Sequence, residues 1–451
     1  MKIRLILLLL LISTVSIFAQ KGKEKPNPEI QKMLREVSAQ RIENDIRKLA
    51  SFGTRNTNSE QNNPTRGIGA ARDWIFAEFQ KISADCGNCL EVEKQTYLQK
   101  ALPQPRSRVP EAINITNVLA TLKGATNPER IYVVSGHYDS MCEDPADGKC
   151  DAPGANDDAS GTAAVIEMAR VMSKRKFDAT IIFMAVAGEE QGLLGARHFA
   201  EQAVEKKMDI EAMFTNDIIG GVTTFKNAAN RQTVRVFSEG VPSNETEAEA
   251  NTRRGVGGEN DSASRQLARF IKETAEIYSP KFSVMMIYRR DRYRRGGDHI
   301  PFLERGFTAV RFTETNEDYD HQHQNVGTRE GKFYGDTPEF VDFEYVADVA
   351  RINVASLARL ALAPARPKNV VITNRLGNDT ELKWDAGTES DLASYEIVWR
   401  ETTSPVWTNS VNVGNVTNHV MKGMSKDNYF FGVRAVDKDG NKSPVSFPRP
   451  V

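Results

Sequence analysis

An excess of charge of either sign is missing from this chain. In 451 residues, 59 lysines and arginines face 60 aspartates and glutamates, a formal net charge of −1. Such a balance does not build the basic surface that a polyphosphate backbone requires, so nucleic acid is excluded as the main partner. Long apolar runs are nearly missing too. The one example, Leu5 to Ile17, is too short and too soon followed by polar residues to cross a membrane, and no membrane span is expected. The Gly-x-Ser-x-Gly elbow of serine hydrolases does not occur. Only four cysteines are present. "CGNC" supplies one Cys-x-x-Cys half without a matching second half, which argues against a thiolate metal site. Neither an internal repeat nor a long low-complexity segment interrupts the sequence.

Residues 1–19 carry a secretory pattern. Lys2 and Arg4 precede the apolar run, and Ala19 offers a small residue for cleavage. A secreted or periplasmic protein is expected, without a lipid anchor, because no cysteine lies at the cleavage point. In an exported chain the even cysteine count predicts local disulfides, Cys86–Cys89 and Cys142–Cys150.

Residues 20–65 read as an N-terminal helical segment. From 66 to 362, "IYVVSG" and "ATIIFMAVAG" are the nearly all-apolar runs of buried parallel strands, and "EAMFTND" and "FTAVRFTE" are shorter ones. They alternate with amphipathic helices, among them "SGTAAVIEMARVMSKR", "SRQLARFIKETAEIY" and "FEYVADVARINVASLARLA". That alternation predicts an α/β domain with a mixed, mainly parallel sheet flanked by helices. The Pro-containing stretch 363–368 reads as a linker. Residues 369–451 show short alternating strands and tight turns, the pattern of an all-β sandwich. Trp384, Tyr395, Tyr429 and the "VRAVDKDGNKSP" ending make this part resemble a fibronectin type III module. The basic run "YRRDRYRR", 288–295, reads as a solvated loop, with attraction of acidic substrates as its alternative.

The chemistry gathers where strands end. "VVSG" leads into His137 and Asp139, "IIFMAVAG" into Glu189 and Glu190, and "AMFTN" into Asp217. "AVRFTET" leads towards His321 and His323, and Asp157 and Asp158 occupy a Gly-rich turn before a helix. Ligands of open α/β sheets bind at the carboxyl ends of the strands, so these segments deliver acids and imidazoles to one edge. Each feature alone has a plainer reading: "DDASG" as a helix cap, the glutamate pair as a solvated helix start, and His198 and His419 as structural or exposed. Their coincidence in order and position carries the case. Imidazoles and carboxylates without thiolates suit zinc, and several carboxylates can support two ions. Such a site also needs a base that is not a ligand, which gives the adjacent glutamates separate tasks.

At these residues the chain resembles the two-zinc aminopeptidases of the aminopeptidase S/Y type. The motifs are "SGHYDS", "APGANDDASG", "AGEEQGLLGARH", "FTNDIIGG" and "GGDHIPF", in this order, followed by a His-rich segment. The resemblance spans roughly residues 65–362. It implies two Zn2+ per chain, one held by His137 and Asp217, the other by Glu190 and a late histidine, with Asp157 bridging. It implies Glu189 as general base and acid, Asp139 as the partner that orients His137, and peptides with a free N-terminus as substrates. The family commonly shows His-Thr-x-x-Asp-Thr at the end, whereas this chain has "HQHQNVGT". Counting from His323 aligns Thr328 with the final Thr but puts Gly327 at the Asp; counting from His321 puts Asn325 there. Segment length favours His323. Gln322 replaces the tyrosine that some relatives use to steady an oxyanion, and Asp298 lines the substrate pocket or holds its own loop.

Two other functions fit parts of the sequence. A single-zinc glutaminyl cyclase is compatible with "GGDHIPFLERG", and a non-catalytic binding protein could use the old site or the β-sandwich, through which surface or polysaccharide contact is open. The first would convert N-terminal Gln without releasing it. The second would lack part of the site.

Overall fold

The structure, a computed structural model, describes residues 24–103, 107–221 and 228–450. The leader expected over residues 1–19 lies outside them. Along the chain run α1 (Pro28–Glu36), α2 (Ala39–Ala50), α3 (Gly67–Asp85), β1 (Leu90–Gln99), β2 (Ile113–Leu122), β3 (Asn127–His137), α4 (Ala159–Met172), β4 (Ala179–Val186), α5 (Leu194–Glu205) and β5 (Asp209–Asn216). There follow α6 (Ala228–Arg231), β6 (Thr233–Phe237), α7 (Glu247–Val256), α8 (Ala263–Tyr278), β7 (Ser283–Ile287), α9 (Ile300–Glu304), β8 (Ala309–Glu314), the hairpin β9 (Gly327–Arg329) and β10 (Lys332–Tyr334), and α10 (Phe343–Leu362). Among the described residues no helix is long and apolar enough to cross a membrane.

Eight strands form one sheet in the order β1-β2-β4-β3-β5-β8-β6-β7. Its centre, β4-β3-β5-β8, is parallel, while β1, β2 and the β6–β8 pairing are antiparallel. The four central strands are those whose apolar runs announce them. β1, β2, β6 and β7 were not anticipated: β1 alternates charged and apolar residues, and β6 and β7 are five residues each. β4 is buried at all eight positions, as expected of a strand covered on both faces.

α4 explains the burial on one side. It runs behind β3 at a distance only glycine permits. A Cβ on Gly136 would lie 2.4 Å from the Gly161 carbonyl carbon, and one on Gly161 2.1 Å from the Asn216 oxygen. This contact presses the ends of β3 and β5 against the start of α4. The N-terminal helices are not a separate segment. Ile30, Met33, Ile42, Ile46 and Leu49 share one core with Phe79, Val165 and Ile352, so the boundary expected at residue 66 does not divide the core. Glu167 on α4, fully buried, secures them by accepting from Arg41 Nε at 2.9 Å and from the Ser38 amide at 2.8 Å.

The C-terminal strands are β11 (Val371–Ile372), β12 (Thr380–Lys383), β13 (Leu392–Glu401), β14 (Asn409–Gly414), β15 (Asn418–Met421), β16 (Tyr429–Asp437) and β17 (Arg449–Pro450). They form a four-stranded sheet β15-β12-β11-β17 and a three-stranded sheet β14-β13-β16 around Trp384, Tyr395, Ile397 and Val433. This unit docks on α8. Arg400 pairs with Asp261 at 2.7 Å, the Trp407 indole donates to Gln266 Oε1 at 2.9 Å, and Arg269 Nε donates to the Pro405 carbonyl at 2.7 Å.

Candidate metal centre

Parallel pairing brings the chemistry together. Ser135 of β3 lies opposite Thr215 of β5, so His137 and Asp217, each two residues further on, emerge side by side. His137 of β3 pairs with Val186 of β4, whose chain continues into Glu189 and Glu190. All lie at the carboxyl edge of the sheet.

His137 is buried. Among the described residues its Nε2 has no hydrogen-bond partner; it lies 3.2 Å from Asp157 Oδ1 and 3.8 Å from Asp217 Oδ1. Asp157 Oδ2 lies 2.8 Å from His323 Nε2, which is 3.0 Å from Glu190 Oε1. Two triads therefore share Asp157: His137–Asp157–Asp217 and Asp157–Glu190–His323. Their donors are imidazole nitrogens and carboxylate oxygens within reach of one another, the chemistry of a zinc site. An orphaned buried Nε2 facing two carboxylates fits a cation there.

His321 turns elsewhere. Its Nδ1 lies 2.7 Å from Asp318 Oδ2, and its ring stacks on Phe340 with centroids 3.6 Å apart. His198 stacks on Tyr97, and His419 pairs with Leu382 in the sandwich. The cluster Cys142–Asp147–Cys150 is not a thiolate site, because both sulfurs are spent in a disulfide; Cys86 and Cys89 form another, and the described residues contain no free cysteine.

Glu189 and Glu190 are less divergent than their adjacency suggests. A carboxylate oxygen of each comes within 4.8 Å of His137 and of the other glutamate. They differ in what they touch. Glu190 reaches His323, whereas the Glu189 carboxylate has no hydrogen-bond partner among the described residues. Asp139 holds the turn that carries both: its Oδ1 accepts from the Glu189 amide at 3.2 Å and its Oδ2 from the Glu190 amide at 3.1 Å. For the His137 ring, the closer acceptor is the Asp139 main-chain oxygen, 3.1 Å from Nδ1, with Oδ1 at 3.5 Å.

Burial and charge oppose each other throughout the cluster. Burial would lower the His137 pKa, but Asp139, Asp157 and Asp217 outweigh it and raise it well above its ordinary value. Burial would raise Asp157, but His323 and His137 hold it well below the usual carboxylate range. Glu189 goes the other way: burial, then the charges of Asp217, Glu190 and Asp298, push it well up against the pull of His137. Asp298 is buried with Oδ1 unpartnered, and burial with the nearby Asp139 and Asp217 pushes it up to about 8.

Several residues that build the site were not legible as such. Arg311 of β8 pairs with Asp217 Oδ2 at 2.9 Å; its only signal was a charge inside an apolar strand. Gln322, noted for not being tyrosine, donates from Nε2 to Asp157 Oδ2 at 2.8 Å. Asp158 does what a helix cap does and more, accepting amides from Gly161, His137 and Ile218 at 2.9, 2.9 and 3.3 Å. Asp336, after the β9–β10 hairpin, accepts the Asn156 and Asp157 amides at 2.8 and 2.7 Å.

Arg55, fully buried, ties the loop between β3 and α4 together. It donates to the carbonyls of Tyr138 at 2.6 Å, Gly154 at 2.9 Å, Leu49 at 3.3 Å and Pro153. Arg55→Met strands these buried acceptors and is expected to cost at least about 3 kcal/mol. Thermal unfolding should show a lowered Tm; an unchanged Tm contradicts this account of the loop.

Most of the basic run is the solvated loop expected of it, and its centre turns inward. Asp291 is buried and Arg292 half-buried, and Arg292 and Arg295 pair with the buried Glu317 at 3.0 and 2.6 Å. Tyr288, Arg289, Arg290, Tyr293, Arg294 and Arg295 are exposed.

The sequence matches the family model described as Peptidase family M28 over residues 117–330, and that of the fibronectin type III domain over residues 365–451. A probable zinc metalloprotease of Leptosphaeria maculans is 49% identical over 426 residues, covering 94% of this chain and 98% of that protein. Among solved structures, the LapA aminopeptidase of Legionella pneumophila superposes with a TM-score of 0.50 at 19% identity, covering 77% of this chain and 78% of the other. An aminopeptidase from Aneurinibacillus sp. strain AM-1 gives 0.51 at 16% identity, covering 74% and 96%. At such identities these two likenesses concern the fold.

Proposed function

The chain belongs to peptidase family M28, and from that premise we propose that it is an exported zinc-dependent aminopeptidase that removes residues from the N-termini of peptides. The observation that carries this reading is the pair of ligand triads sharing Asp157, with the Glu189 carboxylate beside them. In this reading His137 and Asp217 would hold one zinc and Glu190 and His323 a second, with Asp157 placed to serve both. When bound, zinc supplies a Lewis acid that polarises the scissile carbonyl and makes water more acidic. Glu189 accepts the proton of the attacking water at its carboxylate and passes it to the leaving amine. Asp139 keeps Glu189 and Glu190 in place through their amides, and Arg311 and Gln322 orient the carboxylates of Asp217 and Asp157. Export is supported by the leader pattern and by two disulfides, bonds that persist in oxidising compartments.

Hydrolysis of a panel of aminoacyl-nitroanilides tests the activity. Release should stop with chelator and return with zinc. Conversion of N-terminal Gln without release of an amino acid would instead identify a cyclase.

The Cys142–Cys150 bridge lies between His137 and Asp157 and, in this reading, braces the loop joining two metal-holding segments. Mild reduction followed by zinc analysis should show loss of both metal and activity. Full retention of both would rule out that bracing.

A further inference from the structure

We propose that Arg295 forms a carboxylate-binding subsite beside the metal centre, selecting substrates that carry a negative charge next to the scissile bond. The inference rests on the peptidase reading and adds to it a substrate class.

The stretch 291–298 is anchored to the site at Gly296, while Tyr293, Arg294 and Arg295 face solvent. The Gly296 carbonyl accepts from Arg311 Nη1 at 2.8 Å, and that same Nη1 lies 2.9 Å from Asp217 Oδ2. A Cβ on Gly296 would lie 3.9 Å from Leu193 Cδ1, in the loop that carries Glu189 and Glu190. The main chain next to Arg295 is thus one hydrogen bond removed from a guanidinium that grips Asp217.

Glu317, with its side chain 2% exposed, is shared by Arg235 at 3.1 Å, Arg292 at 3.0 Å and Arg295 at 2.6 Å. A second nearby carboxylate, Asp291, is shared by Arg292, Arg311 and His299 at 3.1, 3.6 and 3.4 Å. Arg292 is closed off, its side chain 8% exposed, with further bonds to Asp291 and the Gly296 carbonyl. Arg295 is the open member, 32% exposed, and among the described residues only its Nη1 is engaged. Glu317 fixes one side of its guanidinium and leaves the remaining donors pre-oriented for a second acceptor. A guanidinium presents five donors in a planar fork suited to a carboxylate. Burial and the neighbouring Arg292 oppose the charge on Arg295, and Glu317 and then Asp157 outweigh them, so its pKa is raised.

The shared chemistry is a carboxylate, from either of two places in a peptide: the side chain of an acidic N-terminal residue, or the α-carboxylate of a dipeptide. Kinetics on the zinc-loaded, full-length chain separates them. One pair of substrates is Glu- and Leu-nitroanilide; the other is Leu-Leu and its C-terminal amide. For the pair that carries the recognised charge, Arg295→Ala should lower the ratio of kcat/KM, charged over uncharged, by ~10–100-fold, the range of one hydrogen bond to a charged group. The loss should appear mainly in KM. Arg295→Lys should recover part of the ratio, and Arg295→Glu should lower it further. Raising the salt should shrink the wild-type ratio. If Arg295→Ala and wild type share the same ratios in both pairs, the subsite is overturned while the peptidase reading stands. If zinc-loaded wild type releases no residue from any substrate, the peptidase reading falls and this inference falls with it.

Discussion

Glu189→Gln is expected to lower kcat by ~10²–10⁴-fold while the zinc content remains that of the wild type. The size follows from what the substitution removes and what it leaves. Gln keeps the shape of the side chain and the main-chain amide, and it is the amides of residues 189 and 190 that Asp139 grips. The turn should therefore persist. What disappears is a carboxylate with no hydrogen-bond partner among the described residues, held well above its ordinary pKa by burial and then by the charges of Asp217, Glu190 and Asp298. Such a group is poised to exchange a proton rather than to hold a contact. Steady-state kinetics with metal analysis on the same preparation checks this. Full activity would remove Glu189 from proton transfer, and loss of zinc would make it a ligand.

Glu190→Gln should have the complementary effect, a loss of about one zinc per chain together with activity, because this carboxylate is committed to the triad with Asp157 and His323. His323→Ala should lose the same ion. His321→Ala should lose none, since that imidazole is occupied with Asp318 and Phe340. The three variants form one argument. Metal loss in His321→Ala with retention in His323→Ala would invert the assignment that the geometry supports. Retention of all zinc in Glu190→Gln would separate the second triad from metal binding altogether.

The parts of this protein that were legible beforehand share a physical cause. A strand covered on both faces must be apolar throughout, so β3 and β4 stand out, and with them the residues at their carboxyl ends. His137, Glu189, Glu190 and Asp217 follow directly from that placement. Partly exposed β1 and the five-residue β6 and β7 carry no comparable pattern. The choice between His321 and His323 could not come from spacing, because two histidines two residues apart satisfy it almost equally. Direction favours His323, which lies in the left-handed region at φ 56° with its ring turned onto Asp157 and Glu190. Arg55, Arg311 and Asp336 act on main-chain groups or on other side chains far away in sequence, and no local pattern encodes such partners. The basic run shows the same limit. Composition alone makes it a surface feature, whereas Glu317 and Asp291 draw part of it inward.

The central claim is that two zinc ions share Asp157 and that their joint presence is what makes the chain a peptidase. Stripping the metal and titrating zinc back, while release from an aminoacyl-nitroanilide is followed, tests it most directly. Activity should be absent without metal and reach its plateau at about two equivalents per chain. A plateau at one equivalent, or release by the metal-free chain, would contradict it.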